Sequence, residues 1–163
     1  MDLPSRTELE MIRYFKGDAK RISHFVKVHD FARLIALSEN YSQRDMLICE
    51  VSAYVHDIGI KDGERLYGRN DGQIQEQLGP AEAEKLLKKL TDDSELIDRV
   101  CEIVSLHHHA VKYHSAAHQA IVEADFLVNA YEDGLKREAI KTAGEKIFKT
   151  HTGKMLLKTI FSV

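Results

Sequence analysis

Residues 19–38 read AKRISHFVKVHDFARLIALS, and their apolar side chains recur every three or four positions. That spacing is typical of one face of an amphipathic helix. The apolar stripe consists of Ile22, Phe25, Val28, Phe31, Ala32 and Ile35. Helical spacing continues along the chain, whereas the alternating Val-, Ile- and Thr-rich runs that are typical of strands are absent. The sequence therefore predicts an all-α fold, a compact bundle of about seven or eight helices.

Capping signals predict where the first helices begin and end. Thr7 opens a capping-box pattern, which predicts a first helix that starts near Thr7 and stops at Gly17. Ser42 is a suitable N-cap for a helix that runs to about His56. Gly59 is expected to end that helix, since glycine is favoured just after a helix C-terminus.

A polar stretch interrupts the helical pattern in the middle of the chain. Residues 61–79 are rich in glycine and charge and are predicted to form one long loop. Pro80 is expected to open the next helix, because proline is favoured in a first helical turn. A loop of this length in a compact domain is more often functional than idle.

The composition excludes several functional classes. The 163-residue chain has 23 basic and 26 acidic residues, a net charge of -3, which provides no bulk attraction to nucleic acid or an anionic membrane. No apolar run approaches about 18 residues, and the first residues are too charged for a signal peptide. We therefore expect a soluble, cytoplasmic protein. Nine histidines against two cysteines indicate that any bound metal has nitrogen and oxygen ligands.

Two histidines stand out as candidate ligands. His24 falls on the apolar stripe of residues 19–38 and is predicted to point inward. Taken alone, an inward histidine is more often a core residue than a ligand. His56 and Asp57 are adjacent, so an ideal helix would place them about 100° apart, but a fraying helix end lets both reach one ion. The alternative is a histidine that complements the helix dipole, followed by a turn aspartate.

Asp125 is the third candidate. It lies in the segment IVEADFLVNAY, where its immediate neighbours are apolar. An unpaired carboxylate in such surroundings would cost several kcal/mol to desolvate, so Asp125 requires a cation. That cation is either a metal ion or the partner in a structural salt bridge. Two histidines and two carboxylates together suit a divalent transition metal with positions open for water or substrate.

Three stretches of the chain together resemble the HD-domain superfamily of metal-dependent phosphohydrolases. They occur in the order that the family shows and read RISHFVKVHDFARLIA, ICEVSAYVHDIG and QAIVEADFLVNAY. The resemblance implies an HD-type helical bundle with a core over about residues 18–132. Since we find no internal repeat or linker, we expect a single domain over residues 1–163, with helices of residues 135–163 packed on the core.

The same resemblance implies the metal ligands. They would be His24, His56, Asp57 and Asp125. The bound ion would be manganese, iron, cobalt, nickel or zinc, and it would polarise a phosphoryl oxygen and lower the pKa of a bound water. Asp57 could also orient or deprotonate the nucleophilic water. One ion is expected, and a second remains open.

Family members with two metals supply additional histidines after the His-Asp pair. One of them usually lies four residues before a glycine, a position that Gln75 occupies here. Since glutamine is a poor ligand, a second site would need Glu76, which could also act as general acid or base. His107 and His108 continue an inward stripe and are further candidates, for the second site or for catalysis. Alternatively, both are helix-end histidines that the helix dipole favours, and His109 is expected at the surface.

Basic residues that follow the His56-Asp57 pair in the sequence are candidate phosphate contacts. Many family members read His-Asp-Ile-Gly-Lys, whereas in this chain Lys61 comes one residue later. Lys61, Arg65 and Arg69 are therefore predicted to contact a substrate phosphate, the alternative being a solvated charged loop.

The sequence predicts a metal-dependent phosphohydrolase that acts on a nucleotide or another small phosphorylated metabolite. Neither nucleic acid nor a membrane is expected as a partner. One alternative is a mixed-valent di-iron oxygenase on the same scaffold, against which Gln75 counts. Another is a metal-binding regulatory module without catalysis.

Overall fold

The computed structural model describes residues 1–108 and 114–163, and over these residues it consists of α-helices and connecting turns. The helices are α1 (Leu3–Tyr14), α2 (Ala19–Ser38), α3 (Gln43–Ala53), α4 (Ile60–Tyr67), α5 (Gly72–Leu87), α6 (Ser94–Leu106), α7 (Ala116–Glu132), α8 (Arg137–Ile147) and α9 (His151–Phe161). The prediction of an all-α bundle is confirmed, with nine helices in the described segments rather than seven or eight. Within the same segments, no helix combines the length and apolarity needed to cross a bilayer.

The first helix begins earlier than predicted. Asp2 is its N-cap and accepts a hydrogen bond from the Ser5 backbone N–H at 2.9 Å, with a proline in the first turn. Thr7 lies inside the helix, where its hydroxyl donates to the Leu3 carbonyl at 2.8 Å. The Asp2 cap and the proline are stronger start signals than the Thr7 pattern, and they add one turn to the helix.

The prediction of a loop over residues 61–79 is wrong. The helix α4 occupies the first part and ends at Gly68, whose φ of 62° is left-handed. Asp71 then caps α5 by accepting from the Ile74 N–H at 3.3 Å, so that Pro80 lies inside α5 rather than at its start. Proline has no N–H to donate to the preceding turn. The helix persists because Ile74 and other side chains on either side of Pro80 are buried against the bundle.

Two apolar clusters hold the helices together. The larger one joins α1, α2, α3, α5, α6 and α7, with α2 packed between α3 and α7 and with α5 paired with α6. The smaller one contains Leu127, Ala130, Ile140, Phe148 and Leu157 and packs α8 and α9 on α7. The α2–α7 and α2–α3 contacts bring the inward faces of these three helices to one region of the bundle.

A buried carboxylate fastens α9 to α7. Glu123 is fully buried and accepts hydrogen bonds from the Gln119 side chain and from the backbone N–H groups of Lys149 and Thr150, at 2.7 to 3.0 Å. The Thr150 hydroxyl donates to the other carboxylate oxygen of Glu123 at 2.5 Å. These donors satisfy both oxygens at the start of α9, where the helix dipole also favours a negative charge.

Candidate metal centre

The side chain of His24 projects from α2 toward α7. Its Nε2 atom lies 3.1 Å from Asp125 Oδ1 and 4.0 Å from Asp57 Oδ2. The apolar stripe of α2 forces this direction, because Phe25 and Val28 are buried on the same side of the helix. Asp125 projects from the facing side of α7, among apolar residues of the core, and is 9% exposed.

A tight turn presents His56 and Asp57 to the same region. The helix α3 ends at Ala53, three residues before the predicted end. Tyr54 and Val55 then donate to carbonyls three residues back, at 3.2 and 3.1 Å. Such i→i−3 bonds tighten the chain relative to an α-helix. Both members of the pair therefore reach one position, with His56 Nε2 lying 3.7 Å from Asp57 Oδ2 and 3.4 Å from Asp125 Oδ1.

Gly59 ends this turn for a different reason from the one predicted. Its φ of -68° and ψ of -12° are right-handed, so it is not a left-handed helix terminator. A Cβ atom at this position would lie 2.7 Å from the Gly79 backbone nitrogen and 2.9 Å from the Gln75 carbonyl oxygen. Glycine is required here because the turn touches the backbone of α5.

The four side chains converge. Ligand atoms of His24, His56, Asp57 and Asp125 all lie within 4.8 Å of one another, and we call this set the main cluster. Two imidazole nitrogens and two carboxylates at this separation form a donor set that suits a divalent transition metal.

The hydrogen bonds of the histidines test whether the main cluster fits a metal ion. His56 Nδ1 lies 2.8 Å from the Ala53 carbonyl, and His24 Nδ1 lies 3.3 Å from a Glu132 carboxylate oxygen. Since both partners accept, each Nδ1 carries a proton, and Nε2 of each ring faces the cluster as the position for a metal ion or a second proton. In the described part of the chain, His24 Nε2, His56 Nε2 and Asp125 Oδ1 are buried and have no hydrogen-bond partner of acceptable geometry. Buried polar atoms left in this way fit a cation that binds between them.

The electrostatics of the cluster also favour a cation. Burial tends to lower the pKa of His56, but the Asp57 and Asp125 carboxylates outweigh it and raise that pKa to about 9. Conversely, burial tends to raise the pKa of Asp125, yet the neighbouring histidines, His24 first, hold it well below its ordinary value. The carboxylates are therefore ionised and attract positive charge to this position.

A second group shares Asp57 with the main cluster. Ligand atoms of Asp57, His107 and His108 lie within 4.8 Å of one another, and we call them the second cluster. His107 Nδ1 lies 3.0 Å from the Val104 carbonyl, and its Nε2 lies 2.8 Å from Asp57 Oδ1. With Nδ1 acting as the donor, a neutral His107 has only a lone pair on Nε2, so a proton or metal ion must lie between Nε2 and the carboxylate. The two oxygens of Asp57 thus face the two clusters, Oδ2 the main one and Oδ1 the second.

Gln75 supports His108. Its side-chain nitrogen donates to the Asn70 carbonyl at 2.6 Å, which turns its oxygen toward His108 Nε2 at 3.1 Å. Burial and the neighbouring His107 lower the pKa of His108, so the ring is neutral near neutral pH. Gln75, which occupies the position where two-metal family members have a histidine, therefore orients His108.

Glu76 does not join either cluster within the described segments. Gln75 lines the cleft above the metal centre, whereas Glu76 does not. One residue along a helix is a rotation of about 100°, and here it takes the Glu76 side chain out of the cleft that Gln75 lines. The position of Glu76 therefore lends no support to the acid–base role suggested from the sequence. The expectation for His109 concerns a residue outside the described segments.

A cleft of about 480 Å³ opens onto the main cluster. This volume lies within the usual range of small-molecule sites. His24, Asp57 and His108 line it together with polar side chains from α2, α5, α7 and the turn before α5, which are Lys20, Arg21, Asn70, Gln75, Asn129 and Glu132.

The three predicted phosphate contacts lie elsewhere. Lys61 donates to the Tyr14 carbonyl at 2.5 Å and lies 4.7 Å from the centre of the Tyr14 ring. Arg65 pairs with Asp62 at 3.0 Å and Arg69 pairs with Asp71 at 2.7 Å, both on the outside of the bundle. The one-residue delay of Lys61 relative to the family pattern turns its side chain toward α1.

Sequence reasoning missed the basic residues that line the cleft. Lys20 precedes His24 by four residues and so shares its side of α2. Arg21 is held by Asp18 at 3.0 Å and by Glu64 at 2.5 Å, whereas Lys20 makes no ion pair with any described residue. The i, i+4 spacing of Lys20 and His24 was the available signal.

These helices and clusters define the class of protein. The sequence model of the HD domain family matches residues 21–151, and the chain belongs to this family. The resemblance predicted from the three sequence stretches is thereby confirmed.

A solved structure has a similar fold. It is the crystal structure of a predicted HD superfamily hydrolase from an uncultured Thermotogales bacterium. The two chains are 24% identical and superpose with a TM-score of 0.68, over 96% of this chain and 84% of the other. No curated protein matches this chain significantly.

Proposed function

We propose that this protein is a metal-dependent phosphohydrolase that acts on a small phosphorylated metabolite, such as a nucleotide. One observation carries the proposal. Four ligand atoms from His24, His56, Asp57 and Asp125 lie within 4.8 Å of one another. Two of these residues, His24 and Asp57, line an open cleft. HD-family membership and the name of the Thermotogales relative support the hydrolase class.

Some residues of the chain would bind the metal ion or the substrate phosphate, and others would orient the attacking water. A divalent cation in the main cluster would polarise a phosphoryl oxygen and make water acidic enough to attack near neutral pH. Asp57 orients the attacking water through Oδ2, the oxygen that faces the main cluster, and His107, 2.8 Å from Oδ1, fixes the carboxylate. Lys20 binds the substrate phosphate, since its cation lines the cleft without a described ion-pair partner.

The metal content of the purified protein and its turnover of a phosphoester panel test this proposal. The panel includes nucleoside monophosphates, sugar phosphates and p-nitrophenyl phosphate, each assayed with Mn²⁺, Co²⁺ and Zn²⁺. We expect Asp57→Ala to lose both metal and turnover.

The chain provides a matched control in its second His-Asp pair. Asp30 follows His29 on α2 and is exposed, and neither residue belongs to a cluster, so Asp30→Ala should retain both properties. The proposal fails if Asp57→Ala keeps full metal content and activity. If the fully metal-loaded protein turns over no compound of the panel, the alternative of a regulatory module without catalysis is favoured instead.

A second candidate function rests on the second cluster. Because Asp57 faces two ligand sets, two ions could be bound side by side, as the di-iron oxygenase alternative requires. Two irons per chain together with substrate-dependent oxygen consumption would favour that function. Phosphate release with no oxygen uptake would exclude it.

A further inference from the structure

The imidazole of His24 is held at both ends by α7. Its Nε2 atom lies 3.1 Å from Asp125, and its Nδ1 atom lies 3.3 Å from Glu132. Asp125 and Glu132 are seven residues apart, which is two turns of α7, so both project from the same side of that helix. The ring therefore lies between a cluster carboxylate and a carboxylate outside the cluster.

Helix stability does not explain the position of Glu132. It is the last residue of α7, where the helix dipole disfavours a negative charge, and the C-cap that follows is Asp133, a second acid. Its side chain is nevertheless only 16% exposed. A residue type that opposes the local preference indicates a role in a site.

Lys27 is the second partner of Glu132. Its Nζ atom lies 2.8 Å from Glu132 Oε1, while Oε2 faces His24. Lys27 follows His24 by three residues on α2, so the two share one side of that helix. The carboxylate is thus divided between an imidazole and an ammonium group, and the ammonium draws electron density away from the imidazole.

Of the described histidines in the two clusters, His24 alone has a carboxylate on Nδ1. His56 and His107 donate instead to backbone carbonyls, of Ala53 and Val104. A carboxylate that accepts from Nδ1–H makes the opposite nitrogen a stronger electron donor than a carbonyl does. His24 is therefore the most electron-rich nitrogen ligand of the main cluster.

We propose that Glu132 is a positioning residue that fixes the ring of His24 and strengthens it as a metal ligand, while Lys27 moderates this effect. The inference rests on the proposed metal centre. It predicts that two neighbouring substitutions change metal affinity in opposite directions, which a purely structural contact would not do.

Titration with Co²⁺ alone tests the inference, because its visible absorption reports both affinity and ligand geometry. We expect Glu132→Gln to weaken Co²⁺ binding by about 10- to 100-fold, as is usual for a carboxylate behind a ligating histidine. Lys27→Met should strengthen binding by about two- to fivefold, since a half-exposed ion pair contributes little. No substrate is present, so the place of Glu132 in the cleft lining does not affect the result.

The matched control is Glu50→Gln. The carboxylate of Glu50 also pairs with a histidine and a base, His29 at 3.2 Å and Arg33 at 3.1 Å, but outside both clusters. The Glu50→Gln substitution should leave the Co²⁺ affinity and the absorption spectrum unchanged. Equal affinities for Glu132→Gln and Glu50→Gln, or weakening by Lys27→Met, would overturn the inference and leave the proposed function standing. Absence of Co²⁺ binding by the wild-type protein would overturn both.

Discussion

Replacing Gly59 with alanine tests the packing that holds the His-Asp turn. The backbone at Gly59 is right-handed, so alanine adopts it without conformational strain. The added Cβ would nevertheless lie 2.7 Å from the Gly79 nitrogen and 2.9 Å from the Gln75 carbonyl oxygen. Both are backbone atoms of α5, so the clash cannot be relieved by rotating a side chain.

The structure sets the size of the effect. Ordinary contact begins at 3.4 Å, and 3.4 Å less 2.7 Å requires the turn and α5 to separate by 0.7 Å. Overpacking of this kind costs about 1 to 3 kcal/mol, against which alanine recovers up to about 1 kcal/mol of backbone entropy. We expect a net loss of about 1 to 2 kcal/mol in the free energy of unfolding, together with weaker metal binding, because the turn carries His56 and Asp57.

Urea unfolding of the metal-free protein and Co²⁺ titration measure the two effects. Gly17→Ala is the control, since a Cβ there meets nothing within 4 Å while the φ of 90° strains any side chain. It should lose about 1 to 2 kcal/mol with metal affinity unchanged. Gly59→Ala with wild-type stability and wild-type Co²⁺ affinity would refute the steric argument.

Three other predictions address separate parts of the molecule. Glu123→Ala removes the acceptor of four hydrogen bonds and should lower the free energy of unfolding by about 3 kcal/mol or more in a urea titration, without weakening Co²⁺ binding. A loss below about 1 kcal/mol would contradict the network. Lys20→Met should raise KM for a phosphoester about tenfold or more, whereas Lys61→Met should leave KM unchanged. A larger rise in KM for Lys61→Met than for Lys20→Met would show that the phosphate does not bind in this cleft. Mn²⁺ at 100 times its Kd should stabilise the wild-type protein by about 2.7 kcal/mol, or roughly 5 to 10 °C in Tm, and EDTA should reverse this stabilisation. An equal shift in Tm for Asp125→Asn would show that the ion binds outside the main cluster.

The helical class and the inward positions of His24 and Asp125 follow from local patterns in the sequence. The stripe of α2 requires His24 to point inward, and the apolar neighbours of Asp125 require a cation near it. Adjacency alone did not show how His56 and Asp57 could face one point. The family resemblance supplied that expectation, and the i→i−3 turns after α3 explain it.

Other features depend on tertiary packing that no local signal reports. Pro80 is a strong marker of a helix start, yet here the Asp71 cap and burial against the bundle extend the helix through it. Lys61 was placed by analogy with a family motif, and a shift of one residue was enough to turn it away from the cleft. Glu132 lies where helix rules disfavour an acid, and only its partners on the facing helix, His24 and Lys27, explain its position.

The separation of the site along the chain limits when it can form during synthesis. His24 and Asp125 are about 100 residues apart, and Glu132 comes still later. At about 5 to 20 residues per second, a ribosome takes roughly 5 to 20 s to add Asp125 after His24. Throughout that interval the nascent chain presents one histidine, and later a His-Asp pair, with no partner from α7. Binding of a metal ion by the main cluster would therefore have to wait until α7 has left the ribosome and docked on α2.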